Sequence, residues 1–346
     1  MPRVEPSAAT ISLAITVALA ILIYLGSRGL RYFDSALIGY AVASVFALLG
    51  ISYRFLQWLS RPPTRLYWLR GWQLFLSWEN FRRFGGLIPR VLWQNQATQS
   101  FIRPRPGGIS RWIGHLSLFW GVVLSGLITF PLVFGWLVLR SPGGSLYQLY
   151  FFGFPTFVFE PRSLFGWVFI HALDFTALMV LLGVGLALRR RWRDREVIAE
   201  QSFGFDFVPL LLLAAISISG LLLTANSLFW EGRFYWFVSL AHQAVVVLGI
   251  LYIPFGKFFH ILERPASIGI ELYRAVAGRV GGARCARCGR EFASRLFVGD
   301  LIQTLRDLNQ DYAMEPDGRH LQEYCPECKR ILRANSYFSR VHRGFL

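Results

Sequence analysis

Charged residues are scarce in this chain, and long apolar runs take their place. Of its 346 residues only 16% are charged, 54% are hydrophobic, and aromatic residues are frequent, with 31 Phe, 12 Trp and 13 Tyr. This composition argues against a soluble globular protein and is typical of a membrane protein. Six apolar stretches are long enough to cross a bilayer as helices, at roughly 8–27, 35–58, 112–139, 164–188, 207–229 and 234–261.

The first apolar stretch lacks the features of a cleaved signal peptide. No small-x-small cleavage site follows it, and its apolar core is longer than the ~7–15 residues that are usual in signal peptides. We therefore expect it to remain as the first transmembrane helix.

Acidic residues are also few, and the formal net charge is +16. Nucleic-acid binding is a common interpretation of such a charge, but here the basic residues follow the predicted loops. Residues 54–111 hold ten Arg against the single acid Glu79, and 189–195 adds five more, whereas the alternate loops hold one or two. The positive-inside rule then predicts six crossings of the cell (inner) membrane with both termini in the cytoplasm. We expect no nucleic-acid partner.

No cysteine occurs before residue 285, and the four that follow form two C-x-x-C pairs, Cys285 with Cys288 and Cys325 with Cys328. A cytoplasmic tail is a reducing environment, which favours metal ligation over disulfides. Four thiolates on two tight turns are typical of a tetrahedral structural Zn²⁺ site. An iron centre with the same four ligands is the alternative.

The segment between the two cysteine pairs has helical periodicity. Leucine and isoleucine recur at 301, 302, 305 and 308, which predicts a short amphipathic helix packed against the metal site. His320 follows this helix, and we expect it in a solvated loop rather than among the ligands. Because the module is small, the metal would contribute much of its folding free energy.

Four histidines lie within predicted membrane helices, where an ionisable side chain is costly and calls for a partner. His242 and His260 are 18 residues apart, which at ~100° per residue is a whole number of turns, so on one helix both would face the same side. The predicted topology puts His115 and His260 on the inner side and His171 and His242 on the outer side. Two depth-matched imidazole pairs on facing helices predict two stacked b haems.

Three further assignments depend on these pairs. Lys257 would neutralise a propionate of the inner haem. Asp174 lies one turn from His171, where it would orient the imidazole or accept protons from a quinol, with a helix-packing role as the alternative. His171 itself has a quinone-binding or proton-handling role as its alternative.

The last predicted helix carries the sequence from His242 to His260, with Pro254, Phe255, Gly256 and Lys257 before the second histidine. This helix resembles that of the membrane gamma subunit of respiratory nitrate reductase and of the related membrane cytochrome b subunits of heterodisulfide reductase and the sulfite-reduction-associated complex. In that family the last helix has two haem-ligating histidines 18 residues apart and a Pro-Phe-small-basic stretch before the second.

The resemblance covers about 110–262, and it includes one departure. The segment from Asp206 through Leu222 resembles the preceding family helix, and His115 matches the first histidine of the early ligand helix. The nitrate reductase subunit has a second histidine ten residues later, where this chain has Ser125. If two haems are bound, His171 must therefore supply the outer ligand from a different helix.

The resemblance implies a quinone-reactive dihaem membrane anchor, which passes electrons between the quinone pool and a peripheral iron–sulfur catalytic partner. The chain would then be the electron-transfer subunit of a respiratory oxidoreductase complex, not a complete enzyme. Two other functions remain open from the residues alone. One is a proton-coupled transporter that uses the intramembrane histidines and Asp174, and the other is a non-redox membrane anchor with a zinc docking domain.

These patterns divide the chain into four segments. Residues 1–60 form a transmembrane hairpin, and 61–110 form a cytoplasmic segment of interleaved Trp and Arg that resembles an amphipathic helix on the membrane surface. Residues 111–262 form a four-helix haem-binding cytochrome b domain, with a short interfacial segment in the outer loop 140–161, and 263–346 form the four-cysteine metal-binding module. The predicted fold is an all-α six-transmembrane-helix bundle with a small zinc-ribbon-like cytoplasmic module.

Overall fold

The protein is described here from a computed structural model that covers residues 6–102, 108–193, 201–264, 267–314 and 318–343. Among these residues, six helices are long and apolar enough to cross a membrane. They are Ser7–Gly26, Ser35–Ser60, Gly108–Val133, Ala172–Arg193, Phe203–Phe229 and Tyr235–Tyr252. Each of the six predicted apolar stretches overlaps one of them, so the number of candidate spans is confirmed. Arg103, Arg105 and Arg195 of the predicted basic loops lie outside the described residues.

The chain divides into two compact units. The first consists of Met1–Leu56 and Ala97–Leu262, and the second consists of Gln57–Gln96 and Glu263–Leu346. The sequence predicts that 61–110 and 263–346 are separate segments, but in the structure Gln57–Gln96 and Glu263–Leu346 belong to the same unit.

The first unit contains the long apolar helices. These are α1 (Pro6–Gly26), α2 (Ile38–Ser60), α6 (Gly108–Val133), α8 (Ala172–Arg193), α9 (Val208–Phe229) and α10 (Tyr235–Tyr252). Buried side chains from α1, α2 and the end of α6 form one apolar core, made of Ile23, Tyr40, Ala41, Val133 and Phe134. Residues of α10 pack against the edge of this core.

Helices α6 and α8 pack closely because glycines line their contact. A Cβ atom at Gly121 would lie 2.7 Å from Val180 Cγ2, and one at Gly183 would lie 2.7 Å from the backbone oxygen of Gly114. Small residues of this kind allow two helix backbones to approach in a membrane. Helix α9 packs against α8 on one side and α10 on the other, so α6, α8, α9 and α10 form a consecutive series of packed helices.

The predicted outer loop is a small β-sheet, which the all-α prediction missed. Strands β1 (Leu137–Gly143), β2 (Leu146–Phe151) and β3 (Phe154–Phe159) pair antiparallel in the order β1-β2-β3. Consequently α6 ends at Val133, not near 139. The two turns contain Gly144 and Gly153 at positive φ (62° and 75°), which only glycine adopts without strain. The strands themselves are rich in aromatic and β-branched residues, which favour extended backbone.

The predicted fourth helix is divided at His171. A short helix, α7 (Leu164–Ile170), begins at Ser163, whose Oγ accepts a hydrogen bond from the Gly166 N–H at 3.0 Å. His171 has φ −88° and ψ 10°, outside helical values, and α8 begins at the next residue. The prediction of one helix from 164 is therefore wrong, and His171 lies at a junction.

The predicted sixth helix is also interrupted. His242 and His260 therefore do not lie on a single helix, and the prediction that both face one side of it is wrong. Helix α10 ends at Tyr252, and a 3₁₀ turn and the single α-helical turn His260–Glu263 follow an irregular stretch. Pro254 has no N–H to continue the helix, and Gly256 is extended at φ −92° and ψ −171°. The 18-residue spacing therefore does not fix the relative direction of the two imidazoles.

An arginine of α2 stabilises this interruption. Arg54 Nη1 donates hydrogen bonds to the Pro254 oxygen at 2.6 Å and to the Gly256 oxygen at 3.3 Å. These bonds satisfy carbonyl groups that no longer have a helical partner. Gly50, one turn earlier on α2, allows the approach, because a Cβ there would lie 2.8 Å from Pro254 Cβ.

The second unit begins with helices α3 (Pro62–Leu76), α4 (Trp78–Phe84) and α5 (Leu87–Leu92), which pack against α11 (Ser267–Ala277). Helix α3 also contacts α12 (Arg295–Asp307). A buried carboxylate joins these elements: Asp300 Oδ1 accepts from Arg70, and Asp300 Oδ2 accepts from the Tyr273 hydroxyl at 3.0 Å. Burial and this bond to Asp300 raise the pKa of Tyr273 above its ordinary value.

The cysteine module completes the second unit. It consists of the hairpin β4 (Gly282–Arg284) and β5 (Glu291–Ser294), helix α12, the two-residue strands β6 (Ala313–Met314) and β7 (Arg319–His320), and α13 (Pro326–Arg343). Ser294 caps α12 by accepting from the Phe297 N–H at 3.2 Å. The helix predicted between the cysteine pairs is thus confirmed as α12.

Candidate metal centre and histidine sites

The structure brings the four cysteines together. Cys285 and Cys288 lie in the turn between β4 and β5, where Gly289 takes φ 70° to close the turn. Cys325 immediately precedes α13, and Cys328 lies in its first turn. Their four Sγ atoms all lie within 4.8 Å of one another. One pair on a hairpin turn and one pair at the start of a helix therefore form a single thiolate cluster.

The spacing of this cluster fits a tetrahedral metal ion. With Zn–S bonds of about 2.3 Å, tetrahedral geometry separates two sulfurs by about 3.8 Å. Cys288 Sγ and Cys325 Sγ are 3.8 Å apart. The four cysteines could thus hold one metal ion such as Zn²⁺, and Fe in the same ligand set remains the alternative.

Hydrogen bonds lower the pKa of one of the thiols, Cys285. Burial opposes ionisation of Cys285, but backbone N–H groups of Cys325, Cys288 and Arg287 donate to its sulfur and outweigh burial, so that its pKa falls to about 6. Burial and the neighbouring thiols raise the pKa of Cys328 to about 12. A cation bound by the cluster would keep several thiolates together.

His320 is not the solvated loop residue that the sequence suggested. Its side chain is only 2% exposed, and its Nδ1 accepts a hydrogen bond from the Gln322 N–H at 3.1 Å. Burial lowers its pKa below the ordinary value. His320 lies outside the four-thiolate cluster, and its contacts are those of a residue that shapes the loop before Cys325.

His242 and His260 each have an oxygen within hydrogen-bond distance of Nδ1. His242 Nδ1 lies 2.9 Å from Ser219 Oγ, and the Ser219 hydroxyl donates its own proton to the Ala215 oxygen at 2.7 Å. The serine oxygen can then accept from His242. His260 Nδ1 lies 2.5 Å from the carbonyl oxygen of Lys257, which can only accept.

The other two histidines have the same arrangement. His171 Nδ1 lies 2.6 Å from Asp174 Oδ2, and Asp174 Oδ1 accepts from the Thr224 hydroxyl at 2.8 Å. His115 Nδ1 lies 2.5 Å from Gln99 Oε1. In both cases the oxygen can accept from an Nδ1–H group, so the contact fits the tautomer with its proton on Nδ1.

Each of the four imidazoles thus has an oxygen within hydrogen-bond distance of Nδ1, and the tautomer with its proton on Nδ1 fits all four contacts. A metal-ligating histidine characteristically donates its other ring N–H to an oxygen, which fixes the tautomer and the ring orientation. The histidines and Asp174 were predicted from the sequence, whereas their partners Gln99 and Ser219 and the supporting Thr224 were not. Ser219 and Thr224 are hydroxyl residues of the mainly apolar α9, but α9 also contains Ser217 and Ser227, so its composition alone did not single them out.

Contacts with helix α9 show how far apart two of these sites lie along the helix axis. Asp174 contacts Thr224, and His242 contacts Ser219. These two α9 residues are five positions apart, which is about 7.5 Å along a helix at ~1.5 Å per residue. The His171–Asp174 pair and His242 therefore lie in the same half of the bundle.

The remaining two histidines lie toward the opposite end. A Cβ at Gly114, next to His115, would lie 3.2 Å from Leu186 Cβ, close to the arginine-rich end of α8. His260 follows the end of α10. Because α8, α9 and α10 are consecutive packed helices that alternate in direction, the end of α8, the start of α9 and the end of α10 belong to one end of the bundle.

The predicted propionate partner has a carboxylate partner of its own. Lys257 Nζ lies 2.6 Å from Asp206 Oδ1, just before α9. The lysine charge is thus matched within the chain, and a propionate would have to compete with Asp206 for it. Lys257 as a haem contact stays a prediction.

Comparisons of the chain with family models, with curated proteins and with solved structures gave no match.

Proposed function

We propose that the chain is a membrane cytochrome b subunit that transfers electrons between the quinone pool and a peripheral iron–sulfur partner. The observation that supports this most is that four histidines in or next to the long apolar helices each place Nδ1 within hydrogen-bond distance of an oxygen, which fits the tautomer with its proton on Nδ1. A packing histidine has no need of this tautomer, whereas a ligand to iron requires a neutral imidazole with a lone pair on the other nitrogen.

In this proposal His115 and His260 hold one b haem and His171 and His242 hold the other. A haem held between two imidazoles supplies a reversible one-electron carrier. A haem between two helices prevents them from packing directly against each other. Among the described residues, neither α6 nor α8 packs extensively against α10, which leaves this possibility open. Helix α9 contacts both α8 and α10, and it provides Ser219 as the acceptor that orients His242.

Asp174 is the candidate proton acceptor for a quinol. Its two carboxylate oxygens are engaged by His171 and Thr224, so its position is fixed. A proton arriving at Asp174 would weaken its bond to His171 and change the basicity of that imidazole. The carboxylate would thereby couple proton uptake to the ligand of the outer site.

The orientation proposed is that of the positive-inside rule, with both termini in the cytoplasm of a bacterial-type cell membrane. The four-cysteine module then faces the cytoplasm. With Zn²⁺, which has no redox chemistry, the metal would hold the hairpin and α13 together as a surface for the iron–sulfur partner. With iron, the same cluster would be an electron carrier.

A reduced-minus-oxidised spectrum of the purified protein tests the proposal. We expect a b-type α band and two haems per chain. His242→Ala should remove one of the two, and Gln243→Ala, the neighbouring α10 residue whose amide contacts the Ala36 oxygen, should leave both. A colourless full-length protein would refute the proposal.

A proton-coupled transporter is the second candidate, and the hydrogen-bonded series of His171, Asp174 and Thr224 favours it. Such a relay needs no haem. A protein without a b-type band whose reconstituted vesicles show Asp174-dependent proton movement would support the transporter, whereas a non-redox anchor with a zinc docking domain would show neither property.

A further inference from the structure

Helix α13 carries the whole net positive charge of the C-terminal segment. Within residues 263–346, the part outside α13 has nine Arg and nine acidic residues, so its charges balance. Helix α13 adds five basic residues and the single acid Glu327. Charge has thus been concentrated on one helix, which indicates an anionic partner for that helix.

The exposed side of α13 has two parallel strips. One side of the helix belongs to the module, because Cys328 and Leu332 pack into the core around the thiolates. The basic strip has the spacing i, i+3, i+7 and consists of two arginines, Arg330 and Arg333, followed by Tyr337. The apolar strip lies one residue further along and consists of Ile331, Ala334 and Phe338.

The apolar strip is uncovered among the described residues. Ile331 is 43% exposed, Phe338 is 62% exposed, and Tyr337 in the adjoining strip is 67% exposed. Aromatic and aliphatic side chains next to arginines on one helical surface are typical of helices that lie in the headgroup region of a membrane. An acidic protein surface would match the arginines but would not by itself need Phe338 and Ile331 beside them.

We propose that α13 lies on the anionic surface of the membrane, with Ile331 and Phe338 inserted at the headgroup boundary and Arg330 and Arg333 on lipid phosphates. This inference rests on the proposed membrane location of the chain. Because the first turn of α13 contains Cys328, the thiolate cluster sets the direction in which the helix leaves the module. The metal would then determine how the module is held against the bilayer.

The test uses the full chain in lipid nanodiscs, made of phosphatidylcholine alone or of equal parts phosphatidylcholine and phosphatidylglycerol. Hydrogen exchange is followed at the amides of 335–343, which extend beyond the thiolate core. We expect slower exchange in the anionic discs and reversal by high salt, because salt screens surface charge. Each arginine near an anionic surface is expected to contribute about fivefold to the docking equilibrium.

The double variant Arg330→Gln/Arg333→Gln should therefore lose up to about 25-fold of the protection gained in anionic discs. Phe338→Ser should lose protection in the same discs without changing the charge. The matched control is Arg274→Gln/Arg306→Gln, which removes two arginines from exposed ion pairs elsewhere in the unit and should keep the gain.

Equal exchange of 335–343 in the two kinds of disc would overturn the inference, as would equal effects of the two double variants. Protection that appears only when an acidic protein partner is added would also overturn it, in favour of a protein interface. The haem spectrum of the same samples reports the proposed function separately, so its failure is distinguishable from failure of the lipid contact.

Discussion

The hydrogen bond between Ser219 and His242 gives the sharpest prediction about the histidine sites. Ser219 Oγ lies 2.9 Å from His242 Nδ1, and its own proton is committed to the Ala215 oxygen at 2.7 Å. Ser219→Ala removes only the acceptor of the imidazole N–H. An imidazole that donates a hydrogen bond is a more basic ligand and stabilises ferric iron more than ferrous iron. Loss of the acceptor should therefore raise the midpoint potential of the outer haem.

The size of the shift follows from the energy of one neutral hydrogen bond. Such a bond contributes about 0.5–1.5 kcal/mol net. For a one-electron couple ~1.4 kcal/mol corresponds to ~59 mV, so full loss from the oxidised state alone gives roughly 20–60 mV. Potentiometric titration of the α band would resolve this change while the second haem serves as an internal reference.

Ser227→Ala is the matched control on the same helix. Ser227 also donates to a carbonyl four residues earlier, the Leu223 oxygen at 3.2 Å, but it is exposed and forms no histidine bond among the described contacts. It should leave both potentials unchanged. An unchanged outer potential in Ser219→Ala, or a shift of the inner haem instead, would refute the assignment of His242 as a ligand oriented by Ser219.

Three other predictions concern separate parts of the chain. His115→Ala and His260→Ala should each abolish the same haem in optical spectra, and loss of different haems would contradict the pairing. Cys325→Ser should release one equivalent of metal in elemental analysis and weaken partner binding while both haem spectra persist, since the cluster lies in the other unit. Gly121→Ala should destabilise the α6–α8 contact by about 1–3 kcal/mol, because its Cβ would lie 2.7 Å from Val180. Gly126→Ala, whose nearest neighbour is 3.4 Å away, should leave thermal unfolding unchanged or slightly improved.

The sequence was informative where a pattern has a single structural meaning. Long apolar runs predicted the six candidate spans, and the spacing of Leu301 and Leu305 predicted α12, because each pattern depends on local periodicity alone. The doubled C-x-x-C motif predicted a cluster, since two tight turns bearing thiols are drawn together by one ion. The structure agrees on all three.

The sequence was misleading where a long-range contact determines the backbone conformation. Pro254 was visible in the sequence, but the end of α10 at Tyr252 also depends on Arg54 of α2, which takes over the released carbonyl groups. The sheet of 137–159 was hidden because its aromatic residues also suit a membrane interface. The acceptor Gln99 could not be linked to His115 from spacing, since it lies in a separate segment before α6.

Ser125 takes the place of a histidine ligand found in the nitrate reductase subunit that this chain resembles. Its contacts indicate how a second haem could be held without that histidine. Ser125 Oγ donates to Thr176 Oγ1 at 2.7 Å, and Thr176 donates to the Leu173 oxygen, so the position is filled by a closed hydroxyl pair. That pair joins α6 to α8 five residues after His171, or about 7.5 Å along the helix. A ligand lost from α6 would thus be replaced by one on the adjacent helix at a nearby depth. In the proposed sites, Asp174 would do for His171 what Gln99 would do for His115, because each has an oxygen within hydrogen-bond distance of Nδ1 and could orient the imidazole as a ligand.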